Sequence, residues 1–203
     1  MLLLMPTENT TLRINANRAG TVKEITDYLF DLENAYNCLY VFDDFLGVVS
    51  PNSYSRRRSK FFFYELGLSL APNFKLDNSN EFLLPEHRMV ISKINIQSPG
   101  FWEVLGTLNP LQQIREYLND RHSRGKDLRW REQSEKEKAM LENELIQRQI
   151  FEADNRTMKE RISIFRDLGF SDQEIRQIIW TNVGKPLMEL GKHQDNGLIE
   201  GTE

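Results

Sequence analysis

Three histidines and one cysteine are the first side chains to test for chemistry. His87, His122 and His193 lie far apart in the 203-residue chain, in three different contexts. None of them has the i, i+4 spacing or the neighbouring cysteines typical of a metal site. Cys38 is the single cysteine, so no disulfide can form within the chain. We expect a packed thiol there, because no histidine lies close in sequence to act as its base.

Sequence motifs give no sign of catalysis either. The chain has no Gly-rich phosphate loop and no G-x-S-x-G nucleophile elbow. We therefore expect a non-enzymatic protein that uses no cofactor and no metal. A catalytic site assembled from scattered residues would leave no such motif, and it stays open as the alternative.

Two basic clusters are candidate binding sites. The first is Arg56-Arg57-Arg58-Ser59-Lys60. The second consists of Arg121, Arg124, Lys126, Arg129 and Arg131. Either cluster could contact phosphates, and Trp130 beside the second could stack on a base or lie at a lipid headgroup. We favour the simpler interpretation of a solvated loop and charged helix ends, since the formal net charge of −4 gives no overall bias toward nucleic acid.

An apolar stretch follows Ser98 and Pro99, which suit the cap and the first position of a helix. This pattern predicts a short helix over about 99–105, a break near Gly106 and a new helix from Pro110. Four residues of the stretch are too apolar for a solvated connector: Phe101, Trp102, Val104 and Leu105. They either fill the end of a small core, which we favour, or form an exposed aromatic patch that docks a partner.

The N-terminal half predicts a small mixed fold. Residues 10–16 alternate apolar and polar side chains, which is typical of a half-buried strand. A capping box then opens an amphipathic helix over about 22–45. Residues 61–70 and 88–97 are rich in strand-forming side chains. We expect an α+β module over 10–120, in which the amphipathic helix covers one face of a small sheet.

The C-terminal half predicts helices. Residues 119–125 indicate either a break or a strained turn after the helix that begins at Pro110. Residues 126–168 then predict a long charged helix with a weak coiled-coil seam, to which Asn143, Ile146 and Ile150 belong. Packing of this helix within its own chain and self-association through it are equally consistent with the pattern.

Ser171 and Glu174 form another capping box and predict a short helical segment over 171–190. Residues 191–203 are polar, and we expect a disordered tail there. The start of the chain lacks a basic region, and no apolar stretch approaches the eighteen residues of a membrane span. A cytoplasmic protein is the resulting expectation.

The stretch from Ile94 to Gly106 contains Ser98-Pro99-Gly100-Phe101-Trp102-Glu103, and Asn109-Pro110-Leu111 and Tyr117-Leu118-Asn119-Asp120-Arg121-His122 follow it. It resembles the strand–SPGFWE–helix signature of an uncharacterised bacterial family of small α/β modules with a charged C-terminal helix. The resemblance covers about 88–190. It implies an adaptor that couples parts of a bacterial signalling or conflict system, and it implies no catalytic residues.

These patterns lead to one main functional hypothesis and two alternatives. We expect an interaction or scaffolding protein that binds a protein partner or itself, as a homo-oligomer, through its long helix. The interaction residues that we predict are Phe101, Trp102, Leu105, Asn143, Ile146 and Ile150. The alternatives are peripheral membrane binding through Phe101, Trp102 and the basic cluster of 121–131, and nucleic-acid binding through both basic clusters.

Overall fold

The structure, a computed structural model, describes residues 9–49, 83–96, 99–130, 156–167 and 170–202. The chain divides into two compact units. The first unit comprises Met1–Tyr40, Asn78–Glu132 and Pro186–Glu203, and the second comprises Val41–Asp77 and Gln133–Lys185. The C-terminal residues 186–203 thus lie in the same compact unit as most of the predicted module at 10–120.

The first unit is built on a four-stranded antiparallel sheet. Its strands are β1 (Asn9–Ala16), β2 (Val90–Asn95), β3 (Gly100–Thr107) and β4 (Ile199–Thr202). The strand order across the sheet is β2-β3-β1-β4, and every neighbouring pair is antiparallel. Together with the helices, this sheet confirms the predicted α+β class.

The helices of the first unit lie between these strands along the chain. They are α1 (Val22–Val49), which continues into the second unit, a 3-10 turn (Pro85–His87), α2 (Leu108–Trp130) and α5 (Lys185–Asp195). The order β1-α1-β2-β3-α2-β4, with β4 beside β1, is that of the split β-α-β motif. Further helices of the chain, α5 among them, are inserted between α2 and β4.

One face of the sheet, the covered face, carries the core. Leu12 and Ile14 of β1 lie opposite Val104 and Trp102 of β3, and all four are buried. Helix α1 packs on this face, since the ring centroids of Tyr28 and Trp102 are 5.5 Å apart. Residues one position away along each strand project to the opposite side, the outer face.

The predicted short helix over 99–105 is wrong, because this stretch is strand β3. All eight of its residues pair with β1, from Gly100 opposite Ala16 to Thr107 opposite Asn9. Its side chains alternate between the two faces of the sheet with a period of two. Pairing on both sides of β3 outweighs the helix-start signal of Ser98-Pro99, and the helix begins at Leu108 instead.

Helix α2 runs without a break through residues 119–125, where the sequence left a break open. Leu111, Ile114 and Leu118 form its buried stripe. Pro110 lies in the first turn, where a missing backbone N–H costs little.

The predicted disordered tail at 191–203 is also wrong. Residues up to Asp195 continue α5, and Ile199–Thr202 form β4, which pairs with β1. Gly197 ends the helix with a φ of 68°, and the N–H of Leu198 donates to the carbonyl of His193 in the Schellman arrangement. The Asn196-Gly197 pair thus turns the chain from a helix into an edge strand.

The second unit contains α3 (Arg156–Asp167), α4 (Asp172–Ile179) and a π-helical turn (Trp180–Gly184). The ring centroids of Phe165 and Phe42 are 5.9 Å apart, and Phe170 packs edge-on against Phe165. The predicted capping box is confirmed, because Ser171 and Glu174 exchange hydrogen bonds at the start of α4.

Several predictions lie outside the described residues. They are the strand at 61–70, the basic cluster Arg56–Lys60 and most of the long helix and seam at 126–168. From the latter stretch the structure describes the end of α2, to Trp130, and α3.

Candidate partner-binding edge

Strand β2 is the last strand on one side of the sheet that the described residues form. All of its residues but one are exposed, although most of a β-strand in a small sheet is normally half-buried. Its apolar side chains are 54% (Val90), 41% (Ile91) and 44% (Ile94) exposed, and Ile96, just after the strand, is 67% exposed. We call β2 together with Ile96 the β2 edge.

A β-bulge sets the direction of these side chains. Ile91 lies opposite Val104 and Lys93 lies opposite Glu103, so Ser92 is the extra residue of the bulge. The Ser92 hydroxyl donates to the backbone carbonyl of Glu103 at 3.1 Å. The bulge therefore places Ile91 and Ile94, three positions apart, on the same side of the sheet.

The start of the β2 edge is attached to α1 by a tyrosine hydroxyl. Tyr36 Oη donates to the carbonyl oxygen of His87 at 2.7 Å and accepts from the backbone N–H of Thr107 at 2.9 Å. The Thr107 hydroxyl lies 3.1 Å from the same oxygen. One buried side chain thus joins α1, the 3-10 turn before β2 and the end of β3.

Two further contacts complete this attachment, which we call the Tyr36 clamp. The hydroxyl of Tyr40 hydrogen-bonds Nδ1 of His87. The ring of Tyr36 lies so close to Gly106 that a Cβ there would be 2.8 Å from its Cε2 atom. Gly106 is therefore a point of close approach between α1 and β3, and it is not the predicted helix break.

Strand β4, at the other side of the sheet, has a different environment. Ile199 and Gly201 are buried, and the side chains of Asn119 and His122 lie against Gly201. Asn119 Oδ1 accepts from the backbone N–H of Thr202 at 2.9 Å. Helix α2 thus covers this edge and satisfies one of its backbone donors, which is a common way to protect an edge strand.

The predicted interaction residues on β3 do not form one patch. Trp102 is 4% exposed on the covered face, whereas Phe101 and Leu105 project to the outer face. Phe101 is half-buried, and the guanidinium carbon of Arg13 lies 3.8 Å from its ring centroid. A nucleic-acid base would have to displace Arg13 in order to stack on that side of the ring.

The second basic cluster is partly engaged within the first unit. Arg121 forms an ion pair of 2.5 Å with Asp195, and Nε of exposed Arg124 donates to the carbonyl of Asp120 at 3.2 Å. Lys126 and Arg129 belong to the last turns of α2. Four predicted residues lie outside the described part of the chain: Arg131, Asn143, Ile146 and Ile150.

The described side chains bring together one pair with acid–base potential. His193 Nε2 lies 2.8 Å from Asp31 Oδ2, and the His193 ring packs against the buried ring of Tyr28. Burial raises the pKa of Tyr28, so its hydroxyl stays protonated. The pair joins α5 to α1. Cys38 is buried beside Asn34, as expected for a packed thiol.

No group of three His, Cys, Asp or Glu side chains within the described ranges could hold a metal ion. No helix found there has the length and hydropathy needed to cross a membrane.

The capping box at the start of α1 is confirmed and has an additional partner. Glu24 accepts from the backbone N–H of Thr21 at 2.8 Å and forms an ion pair of 2.5 Å with Arg18. The Arg18 hydrogen bonds, followed by those from Thr21, lower the pKa of Glu24 to about 2. Arg18 also donates to the carbonyl of Asn196 at 3.4 Å, so this cluster contacts the turn that leads into β4.

Comparison with protein-family models, with curated proteins and with solved structures finds no match to this chain.

The β2 edge was missed by the sequence analysis, although the strand itself was predicted. In a regular strand over 88–97, Val90 and Ile94 would lie on one face. The bulge at Ser92 changes that assignment, since Val90 lies opposite Leu105 on the outer face and Ile94 lies opposite Trp102. The high density of isoleucine and valine around one lysine was the signal that could have identified it.

Proposed function

We propose that this chain is a non-enzymatic interaction protein, an adaptor, that binds an extended segment of polypeptide by strand addition at the β2 edge. The observation that carries the proposal is the exposure of the four apolar side chains of the β2 edge, which bounds the sheet that the described residues form. In strand addition, backbone hydrogen bonds supply affinity, and alternate side chains on both faces supply specificity.

The composition of the β2 edge supports this interpretation. Natural sheets usually protect an edge strand with charges, proline or a covering helix. Strand β2 has one charged residue, Lys93, and no proline. Burying its apolar side chains would contribute about 25 cal/mol for each Å² removed from water.

The Tyr36 clamp also supports the proposal, because it fixes the segment that leads into β2. A strand that receives a partner must hold its shape before the partner arrives, because ordering it on binding would reduce affinity. The hydrogen bonds of Tyr36 and Tyr40 fix the 3-10 turn that leads into β2, and the Ser92 hydroxyl fixes the bulge.

The remaining elements of the hypothesis are proposals of the same kind. The resemblance of the Ile94–Gly106 stretch to modules of bacterial signalling or conflict systems supports the adaptor class. The single buried thiol supports a reducing, cytoplasmic setting. Assembly through the long helix at 126–168 stays a prediction.

The test is site-specific photo-crosslinking in cells that produce the full chain. A photoreactive phenylalanine analogue replaces Ile91 on β2 or, as the matched control, Glu200, which is exposed on β4. We expect a discrete covalent adduct with a polypeptide from position 91 and none from position 200. Equal adducts from both positions, or none from position 91, would contradict the proposal.

A further inference from the structure

The proposed function leaves open which polypeptide occupies the β2 edge. We infer that the occupant is the β2 edge of a second copy of this chain, paired antiparallel so that Ile91 of each copy lies opposite Ile94 of the other. This inference depends on the proposed function, because it names the partner of the same edge.

The faces on which the side chains of β2 lie limit how two copies can pair. Ile91 and Ile94 both lie on the side of the covered face, opposite Val104 and Trp102. Val90 and Lys93 lie on the outer face, opposite Leu105 and Glu103. A two-fold axis perpendicular to the sheet joins covered face to covered face, so residues from the same face must meet across the new strand pair.

One register satisfies this condition and pairs both exposed isoleucines. With Ile91 opposite Ile94 of the second copy, Val90 lies opposite Asn95 and Ser92 lies opposite Lys93. The symmetry creates two Ile–Ile contacts, each on the covered face. Directly opposed side-chain pairs of this kind are the units that stabilise a sheet.

The neighbouring register fails on the same criteria. If the two-fold axis passed through Lys93, two ammonium groups would lie directly opposite each other, which is destabilising. Ile91 would then lie opposite Asn95, and these residues belong to different faces of the sheet. The bulge at Ser92 shifts Ile94 onto the face of Ile91. It therefore allows the register in which Ile91 lies opposite Ile94 of the second copy.

Lys93 has a defined place in the favoured pairing. It lies opposite Ser92 of the second copy, and its Nζ is 5.5 Å from the ring centroid of Phe101 in its own chain. Lys93 therefore directly faces a small neutral side chain, lies diagonal to Lys93 of the second copy and not opposite it, and has Glu103 of its own chain opposite it in β3. The β2 edge, with its four exposed apolar side chains, is in this way complementary to the β2 edge of a second copy.

Disulfide trapping with the full chain tests the register. Ser92→Cys and Lys93→Cys variants, one of them carrying an affinity tag, are oxidised separately and as an equimolar mixture. We expect several-fold more disulfide dimer in the mixture, because directly opposite residues have Cβ atoms about 4.5–5.5 Å apart and can approach disulfide geometry. The wild-type chain, whose Cys38 is buried, is the background control.

A second pair keeps the test independent of either variant. Ile91→Cys mixed with Ile94→Cys should show the same preference on the other face of the strand. The inference is overturned if the mixtures give no more dimer than the separate samples, or if Lys93→Cys alone gives the most. Trapping that fails while position 91 photo-crosslinks to a different polypeptide overturns this inference alone. Failure of both experiments also removes the proposed function.

Discussion

The two edge strands of the sheet that the described residues form belong to one compact unit but are built in opposite ways. Strand β4 lies against α2, and the side chain of Asn119 occupies one of its backbone donors. Strand β2 is held at its start by the Tyr36 clamp and exposes its apolar side chains. The contrast indicates that exposure at β2 is specific to that strand, because the same sheet protects its other edge.

The difference also separates two kinds of structural support. At β4, the support covers the strand itself with buried residues and a helix. At β2, the supporting contacts are made by Tyr36, His87 and Gly106, beside the start of the strand. They leave the apolar side chains of the strand exposed. Each of the following predictions changes one side of this contrast.

The largest effect on stability is expected from Gly106→Ala. The added Cβ would lie 2.8 Å from Cε2 of Tyr36 and 3.0 Å from its hydroxyl oxygen, in a ring that is fully buried and hydrogen-bonded. Overpacking of this kind typically costs about 1–3 kcal/mol. Urea denaturation should show that loss of stability.

Gly201→Ala is the matched control on the β4 side. Its new Cβ would have Oδ1 of Asn119 as its nearest neighbour, at 3.2 Å. That contact requires a shift of only a few tenths of an ångström, so this variant should lose clearly less stability than Gly106→Ala. Equal losses in the two variants would mean that the Tyr36 ring is not fixed in the way described.

The next effect concerns the Tyr36 hydroxyl. Tyr36→Phe leaves the buried N–H of Thr107 without its acceptor, and leaving a buried donor unsatisfied costs about 1–3 kcal/mol. Denaturation measures the loss, and amide hydrogen exchange should become faster in the 3-10 turn and β2 than in β4. Uniform acceleration across both edges would contradict the role assigned to the clamp.

Tyr28→Phe removes another buried tyrosine hydroxyl, one that does not belong to the Tyr36 clamp. The Tyr28 hydroxyl is buried and has no hydrogen-bond partner among the described residues. Removing it eliminates the cost of burying an unsatisfied polar group, so stability should stay constant or rise by up to about 1 kcal/mol. A loss as large as that of Tyr36→Phe would show that the hydroxyl has a partner in solution.

The smallest effect expected is a pH dependence of stability that comes from Glu24, whose cluster contacts the turn that leads into β4. The pKa of Glu24 is lowered to about 2 in the folded chain. Its ionised form therefore stabilises the fold fully above its ordinary pKa, and this contribution is lost as pH falls toward 2. Glu24→Gln should be less stable than the wild type at pH 7, and urea denaturation at pH 3 should show a smaller difference.

The sequence predicted much of the fold because local patterns and tertiary packing agree there. The alternation of β1, the capping boxes at Thr21 and Ser171 and the helix predicted from Pro110 all correspond to observed elements. Strand β3 was misassigned because Ser98-Pro99 resembles a helix start. Pairing with strands on both sides, which are distant in sequence, determines its conformation instead.

The candidate site was harder to predict for a related reason. The exposure of β2 depends on the strand order, which places it at an edge, and on a bulge that no sequence motif marks. Strand β4 was missed because four residues with little hydrophobic pattern gain their stability from the contacts of Asn119 and Gln194. A polar composition was therefore a poor guide to disorder at this end of the chain.

We propose association of the chain through its β2 edge and not through its β4 edge. Multi-angle light scattering on the full chain, over a range of concentrations, compares the wild type with Ile94→Lys on β2 and Glu200→Lys on β4. We expect the molar mass of the wild type and of Glu200→Lys to rise with concentration to that of a dimer or larger assembly. Ile94→Lys should stay folded by circular dichroism with a lower mass at every concentration, and an unchanged mass for this variant would rule out association through the β2 edge.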